Sequence, residues 1–348
     1  MAPDHGGGLR AAASAWGRPP ADWLDLSTGI SPWSWPVPAI PTPVWQRLPE
    51  PDGLPDIART WAGAPEQAGC LPVPGTQAVI QRLPHCLPPS RVGVPHPGYA
   101  EHAHCWRQAG HHVIPLPHDS VAPPLETLDV LVWINPNNPT GRRTPAGRLA
   151  AWHRQLAARS GLLVVDEAFI DTEPVASLAT LTGSEGLLVL RSLGKFFGLA
   201  GLRAGLVFGP RALCARLDAE LGPWAVSHPA RWVMARALAD RPWQVAQRYR
   251  LAGAAQRLAD CLAHHGLPPA GGTGLFQYCP HPRAATLHGA LAARGILTRH
   301  FAEPSALRFG LPGQSHDWRR LEAALRAASP DREGGEPLHH VDGPRGDC

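Results

Sequence analysis

The sequence predicts an α/β fold: a large unit with a mostly parallel sheet and a smaller α+β unit. Five short apolar segments alternate with helical patterns in the middle of the 348-residue chain. Such alternation is typical of a parallel sheet covered by helices on both faces. Beyond about residue 240, one long helical segment is followed only by short strands and a last helix. This change of pattern predicts the second, smaller unit.

The predicted strands and helices can be placed in chain order. The strand segments of the large unit are "SRVGVPHP", "LDVLVWINP", "GLLVVDEAF", "GLLVLRSL" and "AGLVFGP". The turn "PGTQAVIQ" enters a helix, and "TPAGRLAAWHRQLAARSG" predicts an amphipathic helix with proline near its start and glycine at its end. In the smaller unit, "RPWQVAQRYRLAGAAQRLADCLAHHG" and "SHDWRRLEAALRAAS" predict helices, and "GGTGLFQYCP" and "ILTRHF" predict short strands.

The pattern also predicts where the units begin and end. We expect a large unit over residues 41–240 and a small unit formed by residues 1–40 together with 241–328. The tail 329–348 is polar and rich in glycine and proline, which predicts disorder.

Composition excludes several classes of function. The net charge is only +4 and no block of lysine or arginine stands out, so we expect no nucleic-acid or membrane partner. No run of 18 apolar residues is present, and the first 17 residues contain no apolar segment, so we expect neither a membrane span nor a secretory signal. The seven cysteines are odd in number and none forms a C-x-x-C pair. They predict reduced thiols in a cytoplasmic protein, and no metal site.

Lys195 is the only lysine in the chain, although lysine and arginine together number 32. A lysine can lose its proton and attack a carbonyl carbon, whereas an arginine stays protonated. The segment "GK" is not a phosphate-binding P-loop, because Val189 and Phe196 occupy the positions that need glycine and a hydroxyl residue. The lone lysine therefore indicates a nucleophile.

Polar residues near predicted strand ends indicate what Lys195 attacks. Asp166 ends an apolar strand, and a buried carboxylate there needs a cationic partner such as the protonated ring nitrogen of pyridoxal phosphate. Asn138 in "NPNNPTG" could donate to the phenolic oxygen of that ring. Thr76 and the first amides of its helix form a phosphate cradle, which Ser192 and Arg203 could complete.

Four segments resemble the fold-type I pyridoxal-phosphate enzymes of the class I/II aminotransferase superfamily: "NPNNPTG", "VDEAF", "RSLGKFFGLAGLRAG" and "LRFGLP". The resemblance runs from about residue 5 to 328 and implies the aspartate aminotransferase fold, with the cofactor in the large unit. It implies that Lys195 is the Schiff-base lysine, that Asp166 pairs with the ring nitrogen and that Asn138 pairs with the phenolic oxygen. It also implies phosphate contacts from Thr76, Ser192 and Arg203, backbone contacts from Gly75 and Gln77, ring stacking by Tyr99 and binding of the substrate α-carboxylate by Arg308.

Three further features narrow the resemblance. The opening "HGGGLRAAA" with "WLDLSTGISP", the phenylalanine at position 169 and Arg299 in "RGILTRHF" are similar to the threonine-phosphate decarboxylases of the cobalamin pathway. In that family the amino-terminal segment covers the substrate. The resemblance implies that His5 and Arg299 bind substrate phosphate and that Gly29 belongs to the substrate site.

The resemblance implies decarboxylation of L-threonine O-3-phosphate to (R)-1-amino-2-propanol O-2-phosphate for cobalamin biosynthesis. Two alternatives remain at this point: a histidinol-phosphate-type aminotransferase, and a non-catalytic protein on the same fold. The family also implies a homodimer. Relatives often supply a tyrosine from the partner subunit to the cofactor phosphate, and Leu48 occupies that place here.

Overall fold

A computed structural model describes residue 3 and residues 5–328, so the predicted disordered tail lies outside the described residues. The strands are β1 (Leu24–Asp25), β2 (Gly69–Val73), β3 (Arg91–His96), β4 (His112–Pro117), β5 (Val130–Ile134), β6 (Leu162–Asp166), β7 (Leu187–Ser192), β8 (Gly205–Gly209), β9 (Gly271–Thr273), β10 (Phe276–Pro280), β11 (Ile296–Leu297), β12 (Arg299–Phe301) and β13 (Ala306–Gly310). The helices are α1 (Leu9–Ala15), α2 (Thr42–Gln46), α3 (Leu54–Ala62), α4 (Thr76–Arg82), α5 (Ala100–Gln108), α6 (Ala146–Ala157), α7 (Arg211–Leu221), α8 (His228–Ala239), α9 (Arg241–His264), α10 (Ala284–Ala292) and α11 (Ser315–Ala328).

The central element is a seven-stranded sheet with the order β2-β8-β7-β6-β5-β3-β4. Strands β4, β3, β5, β6 and β7 run parallel to one another, while β8 is antiparallel to both of its neighbours. The predicted α/β class and the mostly parallel sheet are therefore confirmed. Because β3, β5, β6 and β7 are parallel, the segments that follow them emerge at one edge of the sheet.

Strands β1 and β13 have no counterpart in the sequence-based prediction, and neither do two strands of the large sheet, β2 and β4. Strands β2 and β4 contain Pro72, Pro115 and Pro117, and proline weakens the sequence pattern of a strand because it cannot donate to the ladder. Both lie at the edges of the sheet, where one side of the strand needs no partner. The prolines are tolerated there for that reason.

The two faces of the sheet bury separate apolar clusters. On β5, Leu131 and Trp133 belong to one cluster, while Val130 and Val132 belong to the other. This alternation explains why the central strands are apolar throughout. Helix α6 covers the first face through Leu149 and its neighbours.

The smaller sheet contains four strands in the order β12-β13-β10-β9. The predicted strand "GGTGLFQYCP" is a hairpin of β9 and β10, because Leu275 N donates to Thr273 Oγ1 at 3.1 Å and closes a turn. The segment "ILTRHF" is also divided: β11 pairs in parallel with β1, and β12 pairs with β13. The β1–β11 pairing joins the amino-terminal segment to the carboxyl-terminal part, but the unit boundaries stay a prediction.

The four helices predicted from the sequence are present as α4, α6, α9 and α11. Among the described residues, no helix is long and apolar enough to span a bilayer.

Candidate active site

A cavity of about 580 Å³ opens where segments following the parallel strands meet the smaller sheet. Its wall includes seven of the predicted site residues: His5, Gly29, Tyr99, Asn138, Lys195, Arg299 and Arg308. Six others lie outside this wall: Gly75, Thr76, Gln77, Asp166, Ser192 and Arg203.

Lys195 lies three residues beyond the end of β7 and is partly buried at the wall of the cavity. Its carbonyl oxygen accepts hydrogen bonds from Ser31 N at 3.0 Å and Gly198 N at 3.1 Å, which hold the loop. Burial lowers the pKa of the Lys195 amine to about 8. The charges of Arg308 and Arg203 also lower this pKa, while the charge of Asp166 partly offsets the effect by raising it. A lower pKa increases the fraction of neutral, nucleophilic amine at neutral pH.

Asp166 is the last residue of β6 and is only 3% exposed. Its Oδ1 accepts from Ala168 N at 3.0 Å, and its Oδ2 is 2.9 Å from His102 Nε2. Among the described residues, His102 is its only ion-pair partner. A buried carboxylate with no lysine or arginine partner fits the charge of a protonated ring nitrogen.

His102 is a site residue that the sequence analysis missed. It is 1% exposed and lies on α5, three positions after the predicted stacking residue Tyr99. Tyr99 precedes α5 with an extended backbone and is not part of the helix, so no helical spacing relates the two residues, and only the fold brings the His102 ring to Asp166.

The predicted phosphate residues are brought together at the start of α4. Gly75 precedes the helix with a φ of +79°, a conformation that favours glycine. A Cβ at Gly75 would lie 2.9 Å from Arg203 Nη2. Ser192 pairs in register with Gly205, and a Cβ at Gly205 would lie 3.0 Å from Thr76 N. The backbone of Gly75 and Thr76, Ser192 and Arg203 therefore surround one helix start, as a phosphate site requires.

Gln77 contributes more than the predicted backbone contact. Its Oε1 accepts from Tyr99 Oη at 3.0 Å, and its Nε2 donates to Glu101 Oε2 at 2.6 Å. Burial raises the pKa of Tyr99, so its hydroxyl remains a donor at neutral pH. These bonds fix the Tyr99 side chain at the wall of the cavity.

Asn138 lies in the loop that follows β5, and neighbouring asparagines hold that loop. Asn137 Nδ2 donates to Pro97 O at 3.0 Å and to Thr140 Oγ1 at 2.9 Å. Asn138 Oδ1 accepts from Arg308 Nη1. With the amide oxygen used in this way, the Asn138 NH₂ group is the part that can donate to a ligand.

Arg308 is a buried cation, 6% exposed, on the central part of β13. Its Nη2 donates to Ser27 O at 2.7 Å, and no carboxylate of the described residues lies within ion-pair distance of it. Burial lowers its pKa to about 10, with a contribution from the charge of Arg299. Arg299 lies opposite Arg308 in the β12–β13 register. Two adjacent guanidinium groups at one cavity favour a ligand with two anionic groups.

Two residues of the amino-terminal segment complete the wall. The Nε2 atom of His5 lies 2.8 Å from Glu101 Oε1. Gly29 faces two phenyl rings: a Cβ there would lie 2.8 Å from Phe169 Cε1 and 3.0 Å from Phe276 Cδ1. The Lys195 Nζ atom is 5.6 Å from the centre of the Phe169 ring.

The donor set fits pyridoxal 5′-phosphate. A lysine with a lowered pKa, a buried carboxylate and a helix start beside an arginine match its aldehyde, ring nitrogen and phosphate. The residues that could hold it are Lys195, Asp166, Asn138, Tyr99, Gly75, Thr76, Ser192 and Arg203.

Comparison with known proteins agrees with this geometry. A family model described as "Aminotransferase class I and II" matches residues 57–326. The chain is 54% identical to a threonine-phosphate decarboxylase of Pseudomonas aeruginosa, with 92% of this chain and 97% of the relative covered. It is 43% identical to a threonine-phosphate decarboxylase of Sinorhizobium, with the same coverage of both chains.

Among solved structures, the histidinol-phosphate aminotransferase of Sinorhizobium meliloti in complex with pyridoxal-5′-phosphate has a TM-score of 0.79 at 20% identity. The match covers 92% of this chain and 94% of that one. At this identity the likeness shows the fold alone.

Proposed function

The chain belongs to the aminotransferase class I and II family, and we propose that within it the protein decarboxylates L-threonine O-3-phosphate. The product is (R)-1-amino-2-propanol O-2-phosphate, an intermediate for cobalamin biosynthesis. The observation that carries the proposal is the pair Arg299 and Arg308, in register on adjacent strands of one cavity wall. The names of the relatives at 54% and 43% identity support the choice of reaction.

Pyridoxal phosphate is the cofactor, and when bound it supplies an acceptor for the electrons released at the substrate α-carbon. Lys195 Nζ would hold its aldehyde carbon, and the Asp166 carboxylate would keep its ring nitrogen protonated. Asn138 would donate to its phenolic oxygen, and the Tyr99 side chain would pack against its ring. The groups that would hold its phosphate are Gly75, Thr76, Gln77, Ser192 and Arg203.

The two ends of the substrate bind different groups. Arg308 binds the α-carboxylate, since its guanidinium is buried, rigidly held and without a carboxylate partner among the described residues. Arg299 and His5, which line the same cavity, bind the phosphate. Fixing both ends sets which bond at the α-carbon lies in the reactive orientation, and this orientation determines that the carboxylate leaves as carbon dioxide.

Two phenylalanines shield the site from water, and Lys195 supplies a proton. Phe169 is 4% exposed and, with Phe276, excludes water from one side of the site. Phe169 also places no hydroxyl beside the cofactor. After carbon dioxide leaves, the α-carbon takes up a proton, and Lys195 Nζ is the group placed to deliver it.

The test is to incubate the holoenzyme with L-threonine O-3-phosphate in the absence of any 2-oxoacid and to measure carbon dioxide. We expect release by the wild type and none by Lys195→Ala. No release, together with glutamate-dependent transamination of histidinol phosphate, would show that the protein is an aminotransferase instead.

We also propose that the enzyme is a cytoplasmic homodimer. Trp45, Leu48 and Trp224 are 63%, 60% and 60% exposed, which is unusual for such large apolar groups. Their segments adjoin, because one surface cavity is lined by Pro49 and Trp224 together. The six described cysteines form no disulfide, in keeping with a reducing compartment.

Light scattering after size exclusion tests the dimer. We expect a mass twice that of the 37.2 kDa chain, and the single-chain mass for a Trp45→Glu/Leu48→Glu variant. A wild type that elutes with the single-chain mass at micromolar concentration would contradict the proposal.

A further inference from the structure

Glu101 is a buried carboxylate that the functions assigned above leave unexplained. It lies on α5 between Tyr99 and His102 and is only 7% exposed. Burying a carboxylate is costly unless it is hydrogen-bonded and has a cationic partner. Among the described residues, the group within ion-pair distance of Glu101 is the ring of His5, at 2.8 Å.

The two carboxylate oxygens of Glu101 reach two different parts of the site. Oε1 contacts His5 Nε2, and Oε2 accepts from Gln77 Nε2 at 2.6 Å. Gln77 Oε1 in turn accepts from Tyr99 Oη at 3.0 Å. A continuous chain of hydrogen bonds therefore joins the amino-terminal segment to the side chain that stacks on the cofactor.

A second hydrogen bond anchors the amino-terminal segment near the substrate site. Gly7 N donates to Ser27 Oγ at 2.8 Å, and Ser27 O accepts from Arg308 Nη2 at 2.7 Å. The backbone bond at Gly7 places the segment over the site, but it does not orient the His5 ring. The Glu101 contact acts on the ring itself, which also lies 5.6 Å from the Tyr99 ring, centroid to centroid.

We propose that Glu101 is a positioning residue, which holds His5 in the orientation that binds substrate phosphate and links it through Gln77 to Tyr99. The proposal rests on the proposed function in taking the ligand of His5 to be a phosphorylated amino acid. A carboxylate that fixes one nitrogen of a histidine sets the ring orientation and the tautomer. Glu101 therefore acts on the substrate only through His5.

The kinetic test uses a double-mutant cycle on the holoenzyme. Glu101→Gln keeps the shape but removes the charge, and we expect it to raise KM for threonine phosphate about tenfold, since His5 Nε2 no longer faces a carboxylate oxygen. We expect kcat to change by less than about threefold, because no contact with the reacting atoms is removed. His5→Ala should raise KM at least as much.

The combination of the two changes decides the issue. In the His5→Ala background, Glu101→Gln should change KM by less than about twofold, because the two residues act as one unit. If Glu101→Gln keeps its full effect there, Glu101 does not act through His5. A loss of kcat with unchanged KM would place its action at Tyr99 instead. Either result overturns the proposal.

Hydrogen exchange supplies a readout that does not depend on turnover. Backbone amides of residues 5–8 should exchange faster in Glu101→Gln than in the wild type. Glu322→Gln, which removes a surface pair with Arg257 at 3.3 Å, is the matched control and should leave that exchange unchanged. Equal exchange in the wild type and Glu101→Gln would also overturn the proposal. Absence of carbon dioxide from the wild type, by contrast, would count against the proposed function and not against the contact.

Discussion

At the scale of the residue, Lys195 combines a lowered pKa with a fixed backbone. Its carbonyl is held by Ser31 and Gly198, so the side chain starts from a defined point. Its amine sits among Arg308 and Arg203, whose charges disfavour a further cation. Arginine could not replace it, because a guanidinium stays protonated.

The pKa of Lys195 leads to a prediction about loading of the apoprotein. A group whose pKa falls from 10.5 to about 8 becomes neutral at lower pH than a free lysine does. The rate of covalent attachment of pyridoxal phosphate, followed by visible absorbance, should therefore rise through a midpoint near pH 8. Nα-acetyl-lysine is the reference amine. If the midpoint for the protein lay at the same pH as the midpoint for Nα-acetyl-lysine, the lowered pKa of Lys195 would be contradicted.

Gly29 predicts a packing effect at one position. An alanine there would force its Cβ against Phe169 and Phe276, at 2.8 and 3.0 Å from their ring carbons. We expect Gly29→Ala to lower the free energy of unfolding by about 1–3 kcal/mol, as overpacking does, and to raise KM because the substrate wall shifts. Urea denaturation and steady-state kinetics measure the two effects.

Gly253 provides the matched control for this change. It is exposed within α9, and a Cβ there would meet nothing within 4 Å. Gly253→Ala should raise the free energy of unfolding by about 0.5–1 kcal/mol, the ordinary helix preference for alanine. If both variants behaved alike, the close approach at Gly29 would not explain its effect.

At the scale of the element, the ends of β6 and β7 are joined by a buried ionic network. Arg191, 2% exposed, lies 3.7 Å from Glu167 Oε2 and also contacts Asp171. Its guanidinium lies 4.3 Å from the Trp61 ring. Glu167 follows Asp166 and Arg191 precedes Ser192, so the network fixes the two strand ends that carry the proposed cofactor residues.

Removing the cation of this network should be strongly destabilising. Arg191→Met leaves Glu167 and Asp171 buried without it, and burial already raises the pKa of both carboxyls. We expect a loss of about 3–5 kcal/mol in the free energy of unfolding. Arg47→Met, at an exposed pair with Glu50, should cost no more than about 1 kcal/mol. Similar losses from both variants in urea denaturation would contradict the role of the buried network.

Elements were predictable from sequence where the local pattern and the tertiary environment agree. The strands β5, β6 and β7 are buried on both faces, so their sequences are apolar throughout. The edge strands β2 and β4 contain prolines and lack that pattern. The turn between β9 and β10 depends on a hydrogen bond from Leu275 N to the Thr273 side chain, which no periodicity reveals.

At the scale of the whole molecule, the candidate site is assembled from segments far apart in sequence. Arg308 contacts Ser27 and Asn138, and His5 contacts Glu101. The residues within each motif could be proposed from the sequence because their chemistry is local to a strand end or a helix start, and their roles stay a prediction. His102 and Glu101 could not, because their roles depend on partners that only the fold brings near.

The most direct test of decarboxylation is a single turnover with threonine phosphate labelled with carbon-13 in its carboxylate. The holoenzyme, at equal concentration to the substrate and without a 2-oxoacid, is followed by carbon-13 nuclear magnetic resonance. We predict that the label moves to carbon dioxide and bicarbonate, while the amino group stays on the organic product. Label retained in the carboxylate of a 2-oxoacid, with the amino group lost from it, would contradict the account.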